Sequence, residues 1–305
     1  MAIKCTWKGV FPAVTTQFDA QGEIDLSTTG SMVDRLIGEG IHGIVALGTV
    51  GENNSLSAAE KRSVLQCVID AAGGRVPVVS GVSELTTSAG CDYARDAEKL
   101  GADGLMVLPA MVYVPNEAEL DFHFRSVASS TSLPIMVYNN PAAYRVNLSL
   151  ALLKSWSDVP NIVAMKESAE DSRRFTDLFN ACGDRYVILA GLDDLALEGL
   201  VLGAAGWISG LTNVFPQESV ALYDAVQEGD LDRARAIYRW FLPLLHLDAQ
   251  PNLVQCIKLA EEVMGRGSER VRPPRLPLSG EERAFVVKLV ETAAASRPVA
   301  QPIPA

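Results

Sequence analysis

The chain is short of histidine, of paired cysteine, of positive charge and of long apolar runs, and each shortage excludes something. Its three histidines, His42, His123 and His246, stand far apart among 305 residues. No spacing among them is that of a zinc or iron site, which argues against metal-dependent chemistry. Five cysteines, Cys5, Cys67, Cys91, Cys182 and Cys256, are odd in number and make no C-x-x-C pair. They read as reduced, mostly buried small hydrophobes. With 37 acidic against 26 basic residues the net charge is −11, the wrong sign for nucleic acid or an anionic membrane. No stretch reaches the roughly 18 apolar residues of a membrane span. The opening MAIKCTWKGV lacks a signal-peptide core, so a cytoplasmic protein is expected.

What remains is enough for a large core: 48% of residues are hydrophobic and 21% charged, outside the range of disordered chains. Short Val-, Ile- and Leu-rich runs recur at Phe11–Thr16, Gly43–Leu47, Val76–Ser80, Gly104–Leu108, Pro134–Tyr138, Ile162–Lys166, Tyr186–Ala190 and Gly206–Ser209. Such runs suit parallel strands buried on both faces. Helical patterns lie between them: Ser57-Ala-Ala-Glu60 is a capping box, and Asn116–Ser130 and Ser168–Phe179 are amphipathic. Eight such alternations predict an α/β fold, a (β/α)8 TIM barrel over residues 1–216, with an open doubly wound sheet as the competitor. No G-x-G-x-x-G or Walker A loop follows the first strand, which weakens nucleotide binding. Helices expected at 217–227, 231–246, 252–264 and 280–294 make a C-terminal helical region over 217–296. The proline-bearing tail 297–305 has little to bury and is expected to be disordered.

A barrel carries its chemistry where the strands end. There the sequence places Gly48-Thr49-Val50-Gly51-Glu52, Tyr138-Asn139-Asn140-Pro141, Lys166-Glu167-Ser168, Gly191, and Ser209-Gly210. Lys166 follows four apolar residues. A dry setting would lower its pKa and make the amine a nucleophile toward carbonyls; the plainer reading is an amine reaching out to water. Tyr138 ends the neighbouring strand, where a phenol can shuttle protons or simply pack. The turn Gly48-Thr49-Val50-Gly51 offers closely spaced N–H groups to a carboxylate. Asn140 can contact a substrate hydroxyl or cap its loop.

At these residues the chain resembles the dihydrodipicolinate synthase / N-acetylneuraminate lyase family. The likeness runs from Gly9-Val-Phe-Pro-Ala-Val-Thr-Thr through Gly48-Thr-Val-Gly-Glu52, Tyr138-Asn-Asn-Pro141, Met165-Lys-Glu-Ser168 and Gly191-Leu-Asp-Asp194. It continues to Gly206-Trp-Ile-Ser209 and ends near Leu278. It implies a lyase that forms a covalent Schiff base between Lys166 and a 2-oxo acid, with no metal or organic cofactor. Tyr138 would be the proton shuttle, Thr49 and the Val50 backbone would hold the carboxylate, and Gly191 and Ile208 would line the pocket. It further implies a homotetramer. The imine is an electron sink that permits aldol cleavage, aldol addition or loss of a β-substituent.

Departures from the pattern bear on substrate. Synthases carry an arginine five residues after the tyrosine, where this chain has Ala143, with Arg145 two positions off. Their second tyrosine, lent by a neighbouring subunit, aligns with Val112, next to Tyr113. The second threonine of their loop is Val50. These differences point toward a dehydratase or deaminase resembling 1-pyrroline-4-hydroxy-2-carboxylate deaminase, whose substrate is a cyclic imino acid. The alternatives are an aldolase on a 2-keto-3-deoxy sugar acid or sialic acid, a dihydrodipicolinate synthase, and a non-catalytic 2-oxo acid sensor.

Overall fold

The computed structural model describes residues 5–109 and 113–299. Its strands are β1 (Gly9–Pro12), β2 (Ile44–Ala46), β3 (Val78–Val82), β4 (Gly104–Val107), β5 (Ile135–Asn139), β6 (Ile162–Glu167), β7 (Val187–Ala190) and β8 (Gly206–Ser209). They pair in parallel in the order β1-β8-β7-β6-β5-β4-β3-β2. The seam between β1 and β2 is drawn together by a parallel bridge, Ala13 with Val45. Beside it the Val14 N–H donates to the Val45 carbonyl at 3.0 Å and the His42 N–H to the Val10 carbonyl at 2.9 Å. The sheet is thus rolled into a (β/α)8 barrel. All strand residues but Val187 are buried, as expected when helices cover the outside and side chains fill the inside.

The first strand lies nearer the N-terminus than the apolar run Phe11–Thr16 suggested. Gly9–Pro12 pairs with Gly206–Ser209, whereas the hydroxyls of Thr15 and Thr16 are committed to Glu261 and to the Gly51 carbonyl. Helices α1 (Leu26–Gly38), α2 (Ala58–Ala72), α3 (Thr87–Leu100) and α4 (Glu117–Ser129) precede β5. Ser57 with Glu60, and Asn116 with Glu119, form reciprocal capping boxes that fix where α2 and α4 begin. Then come α5 (Pro141–Tyr144), α6 (Leu150–Ser155), α7 (Arg173–Cys182), α8 (Ala196–Val201) and α9 (Pro216–Gln227). The helix expected from Ser168 starts only at Arg173. The Glu167 carboxylate takes the Ala169 N–H at 2.7 Å and Asp171 takes that of Arg173 at 3.1 Å, holding the intervening chain as a loop.

Helix α9 packs against β1, completing the outer layer of the barrel. Beyond it α10 (Leu231–Leu245) packs on α9, and α12 (Gly280–Ala294) packs on both α10 and α11 (Leu253–Val263). Helix α11 docks through buried charge. The Lys258 ammonium donates to Glu52 at 2.9 Å and to the Thr16 carbonyl at 2.8 Å, and Glu261 accepts from Thr15 and Gln17. The start of the tail is fastened, with Arg297 paired to Glu218 at 2.6 Å. Residues 300–305 of the segment expected to be disordered lie outside the described residues.

Only Cys256 among the five cysteines is buried; the other four are half-buried and none is paired, which corrects the expectation of mostly buried thiols. Cys67, Cys91 and Cys182 sit on helices, and Cys91 and Cys182 pack against the edge of the core. No described helix is long and apolar enough to cross a membrane.

Candidate active site

Tyr138 on β5 and Lys166 on β6 are direct register partners. Partners across parallel strands project to the same face, so both side chains enter the barrel interior at its C-terminal end. The Lys166 amine stands 4.3 Å from the centre of the Tyr138 ring. Lys166 is 7% exposed, so its amine does not reach out to bulk water. Burial pushes its pKa below the ordinary lysine value, against the electrostatic pull of Asp248, then Tyr144 and Asp193. Burial likewise pushes the Tyr138 phenol up to about 12, opposed by a hydrogen bond from Asn140.

Asn140 does two jobs. Its Oδ1 accepts the Ala143 N–H at 2.9 Å, capping α5, and its Nδ2 donates to the Tyr138 hydroxyl at 3.0 Å. Gly191, just past β7, sits where a side chain could not. A Cβ there would lie 2.0 Å from the Ser168 hydroxyl and 2.8 Å from Lys166 Cγ.

The Gly48–Glu52 loop is bent between two residues in the left-handed region, Leu47 (φ 56°) and Glu52 (φ 54°). Asn53 Nδ2 ties it to the Leu47 carbonyl at 2.9 Å. At Gly51 a Cβ would press on the Val14 carbonyl at 3.0 Å, whereas Gly48 has ordinary room. Val50 is buried. The amides of Thr49 and Val50 make no hydrogen bond among the described residues, and the Thr49 hydroxyl meets the hydroxyl of Tyr144.

Tyr144 was not singled out from the sequence. Its ring meets that of Tyr138 edge to face, centroids 5.5 Å apart at 83°. Asn140-Pro141 carried a usable signal: an Asn cap with proline at the first helical position predicts one turn, which returns residue 144 above residue 140. Two carboxyls to which the sequence assigned no role also stand here, Asp193 of the Gly191–Asp194 motif and Asp248. Asp193 accepts from Trp207 Nε1 at 3.0 Å, the Ser209 hydroxyl at 3.1 Å and the Leu211 N–H at 2.8 Å. Ser209 is therefore engaged in holding Asp193. Trp207 packs on Phe241 of α10, so the alternation of β8 turns Ile208 inward. Asp248, in the loop after α10, closely approaches Gly210. Burial pushes its carboxyl up to about 6, restrained by Lys166.

Above these groups a cavity of about 630 Å³ is walled by Thr49, Asn140, Ala143, Tyr144, Asp248 and Arg275, among others. Lys166 and Tyr138 do not line it; Tyr138 reaches it through Asn140 and Tyr144. Arg145, exposed and left-handed (φ 60°) at the end of α5, is not part of the wall. Tyr113 is 59% exposed and lines a separate hollow with His123 and Phe122. Val112 lies outside the described residues. Among the described residues no three His, Cys, Asp or Glu side chains converge as metal ligands would.

A sequence model of the dihydrodipicolinate synthetase family matches residues 6–293. The chain belongs to that family. Among relatives of this dihydrodipicolinate synthetase family member, a 4-hydroxy-tetrahydrodipicolinate synthase of Pelobacter propionicus is 33% identical over 290 residues, covering 94% of this chain and 98% of that protein. Among solved structures, a putative dihydrodipicolinate synthetase from Pseudomonas aeruginosa aligns with TM-score 0.90 and 35% identity, covering 94% of this chain and all of that one. YagE, a prophage protein of the same family from E. coli K12 solved in complex with pyruvate, aligns with TM-score 0.90 and 31% identity over 95% of this chain and 99% of its own.

Proposed function

We propose that the protein is a lyase that joins a small 2-oxo acid to Lys166 as an imine. The buried amine beside Tyr138, with its pKa lowered by burial, carries this reading, since a nucleophilic amine must be neutral. Tyr138 moves the protons, and the free amides of Thr49 and Val50, with the Thr49 hydroxyl, receive the carboxylate. Gly191 and Ile208 shape the pocket, and Gly48, Gly51 and Ser209 keep its loops in place. That a family member of this fold was solved with pyruvate supports pyruvate as the first 2-oxo acid to try. The chemistry needs no metal or organic cofactor, so EDTA leaves the rate unchanged.

Two finer readings share this imine. Aldol addition by a 4-hydroxy-tetrahydrodipicolinate synthase is favoured by the relatives, which are synthases of that name. Elimination by a dehydratase or deaminase is favoured by the site itself. Ala143 stands where the synthases carry an arginine for a second carboxylate, and among the described residues the cavity wall holds one acid, Asp248, and one cation, Arg275, which lies outside that motif. Assembly as a homotetramer goes with either. Exposed Leu85, Tyr113, Val114 and Phe122 near the starts of α3 and α4 offer apolar surface for it, to be checked by sedimentation.

Borohydride reduction in the presence of pyruvate, followed by peptide mapping, tests the imine. An adduct on Lys166 that is missing in Lys166→Ala supports it; no adduct with any short 2-oxo acid or cyclic imine sinks it. A substrate panel then separates the finer readings, with ammonia released from a cyclic imine marking the deaminase. Condensation of pyruvate with aspartate semialdehyde marks the synthase.

A further inference from the structure

We propose that Tyr144 is the middle member of a proton relay, Tyr138–Tyr144–Thr49, drawn entirely from one chain and leading from the buried amine to the cavity; this rests on the imine-forming reading above. Imine formation makes Tyr138 give and take protons repeatedly. The neutral Lys166 amine adds to C2 as the carbonyl π bond opens, and the oxygen takes the Tyr138 proton. The new ammonium nitrogen returns a proton to Tyr138. The hydroxyl then takes it and leaves as water while the nitrogen lone pair closes the C=N⁺ bond. One proton is consumed overall, so Tyr138 must be reprotonated from outside.

Its neighbours leave one route. Asn140 donates a hydrogen bond to the Tyr138 oxygen, but an amide is no acid at neutral pH. The Ser168 hydroxyl also favours the ionised Tyr138 phenol, but it is wholly buried and does not line the cavity, so it leads to no proton source. Tyr144 meets Tyr138 edge to face, and its hydroxyl is among the groups that favour the ionised Tyr138 phenol. That same hydroxyl meets Thr49 Oγ1. Tyr144 and Thr49 both line the cavity, whereas Tyr138 does not. A proton entering from cavity water therefore reaches Tyr138 through them.

Pyruvate alone suffices as the probe, because imine–enamine exchange replaces its methyl hydrogens with deuterium in D₂O, a loss followed by proton NMR. Tyr144→Phe should slow this exchange by about tenfold or more while borohydride still traps Lys166 to the same final extent. Unchanged exchange in a folded Tyr144→Phe would overturn the relay. Absence of a trapped adduct in the unmodified protein would instead sink the imine reading itself. Should Tyr144→Phe fail to fold, a difluorotyrosine at position 144 keeps the shape and makes the phenol more acidic. It should move the basic limb of the exchange–pH profile to lower pH, and an unmoved limb overturns the proposal.

Discussion

Gly191 is the tightest point of the site, with Ser168 and Lys166 filling the space a side chain would need. Gly191→Ala is expected to lose about 1–3 kcal/mol in urea unfolding, the usual penalty for overpacking. It should also cut the rate of Lys166 trapping, since the lysine stem must shift along with the Ser168 hydroxyl. Asp248 offers a test of charge rather than shape. Its carboxylate raises the Lys166 pKa against the stronger lowering by burial. Asp248→Asn removes that support, so the Lys166 pKa falls further and the neutral amine appears at lower pH. The acid limb of the rate of adduct formation should shift toward lower pH. A limb that stays in place would show that the Asp248 charge does not reach the amine. Lys166 and Tyr138 were legible in the sequence because each ends an apolar strand run. Asp248 was not, because it lies 82 residues beyond Lys166 in a loop with no strand signal, and only the docking of the C-terminal helices brings it in.

At the scale of elements, the loop that carries Thr49 is held from afar. Glu52 and Lys258 are both wholly buried and 2.9 Å apart, joining the β2 loop to α11. Removing one partner of such a pair strands the other charge, at a cost of about 3–5 kcal/mol. Lys258→Met should lower the urea midpoint accordingly. A loss under 1 kcal/mol would mean that water or Arg275, whose guanidinium is 3.9 Å from Glu52, takes over the pairing. The capping boxes of α2 and α4 could be read directly, as Ser-x-x-Glu and Asn-x-x-Glu. The start of α7 could not, because Glu167 and Asp171 hold the preceding loop through bonds that amphipathic spacing does not encode.

Across the whole molecule, buried acids make stability depend on pH. Burial raises the Glu261 carboxyl from 4.5 to about 7, so the folded state holds its proton more tightly than the unfolded chain does. Its contribution is complete below about pH 4.5 and is lost as pH rises to about 7. The size is on the order of 3 kcal/mol. The urea midpoint should therefore fall between pH 5 and pH 8, and Glu261→Gln should flatten that fall; an equally steep fall in the variant would assign it to other groups. The amino-acid sequence by itself determined the barrel and the strand ends where the site forms. Period and hydrophobicity are local properties, and eight buried parallel strands leave few ways to close. It also carried the family likeness, through short motifs in order. Only the tertiary structure decided that Tyr138 and Lys166 are register partners, that Tyr144 bridges Tyr138 and Thr49, and that Asp248 comes within electrostatic reach of the amine. Those are distances between residues remote in the chain, set by strand register and helix docking, which no local pattern specifies.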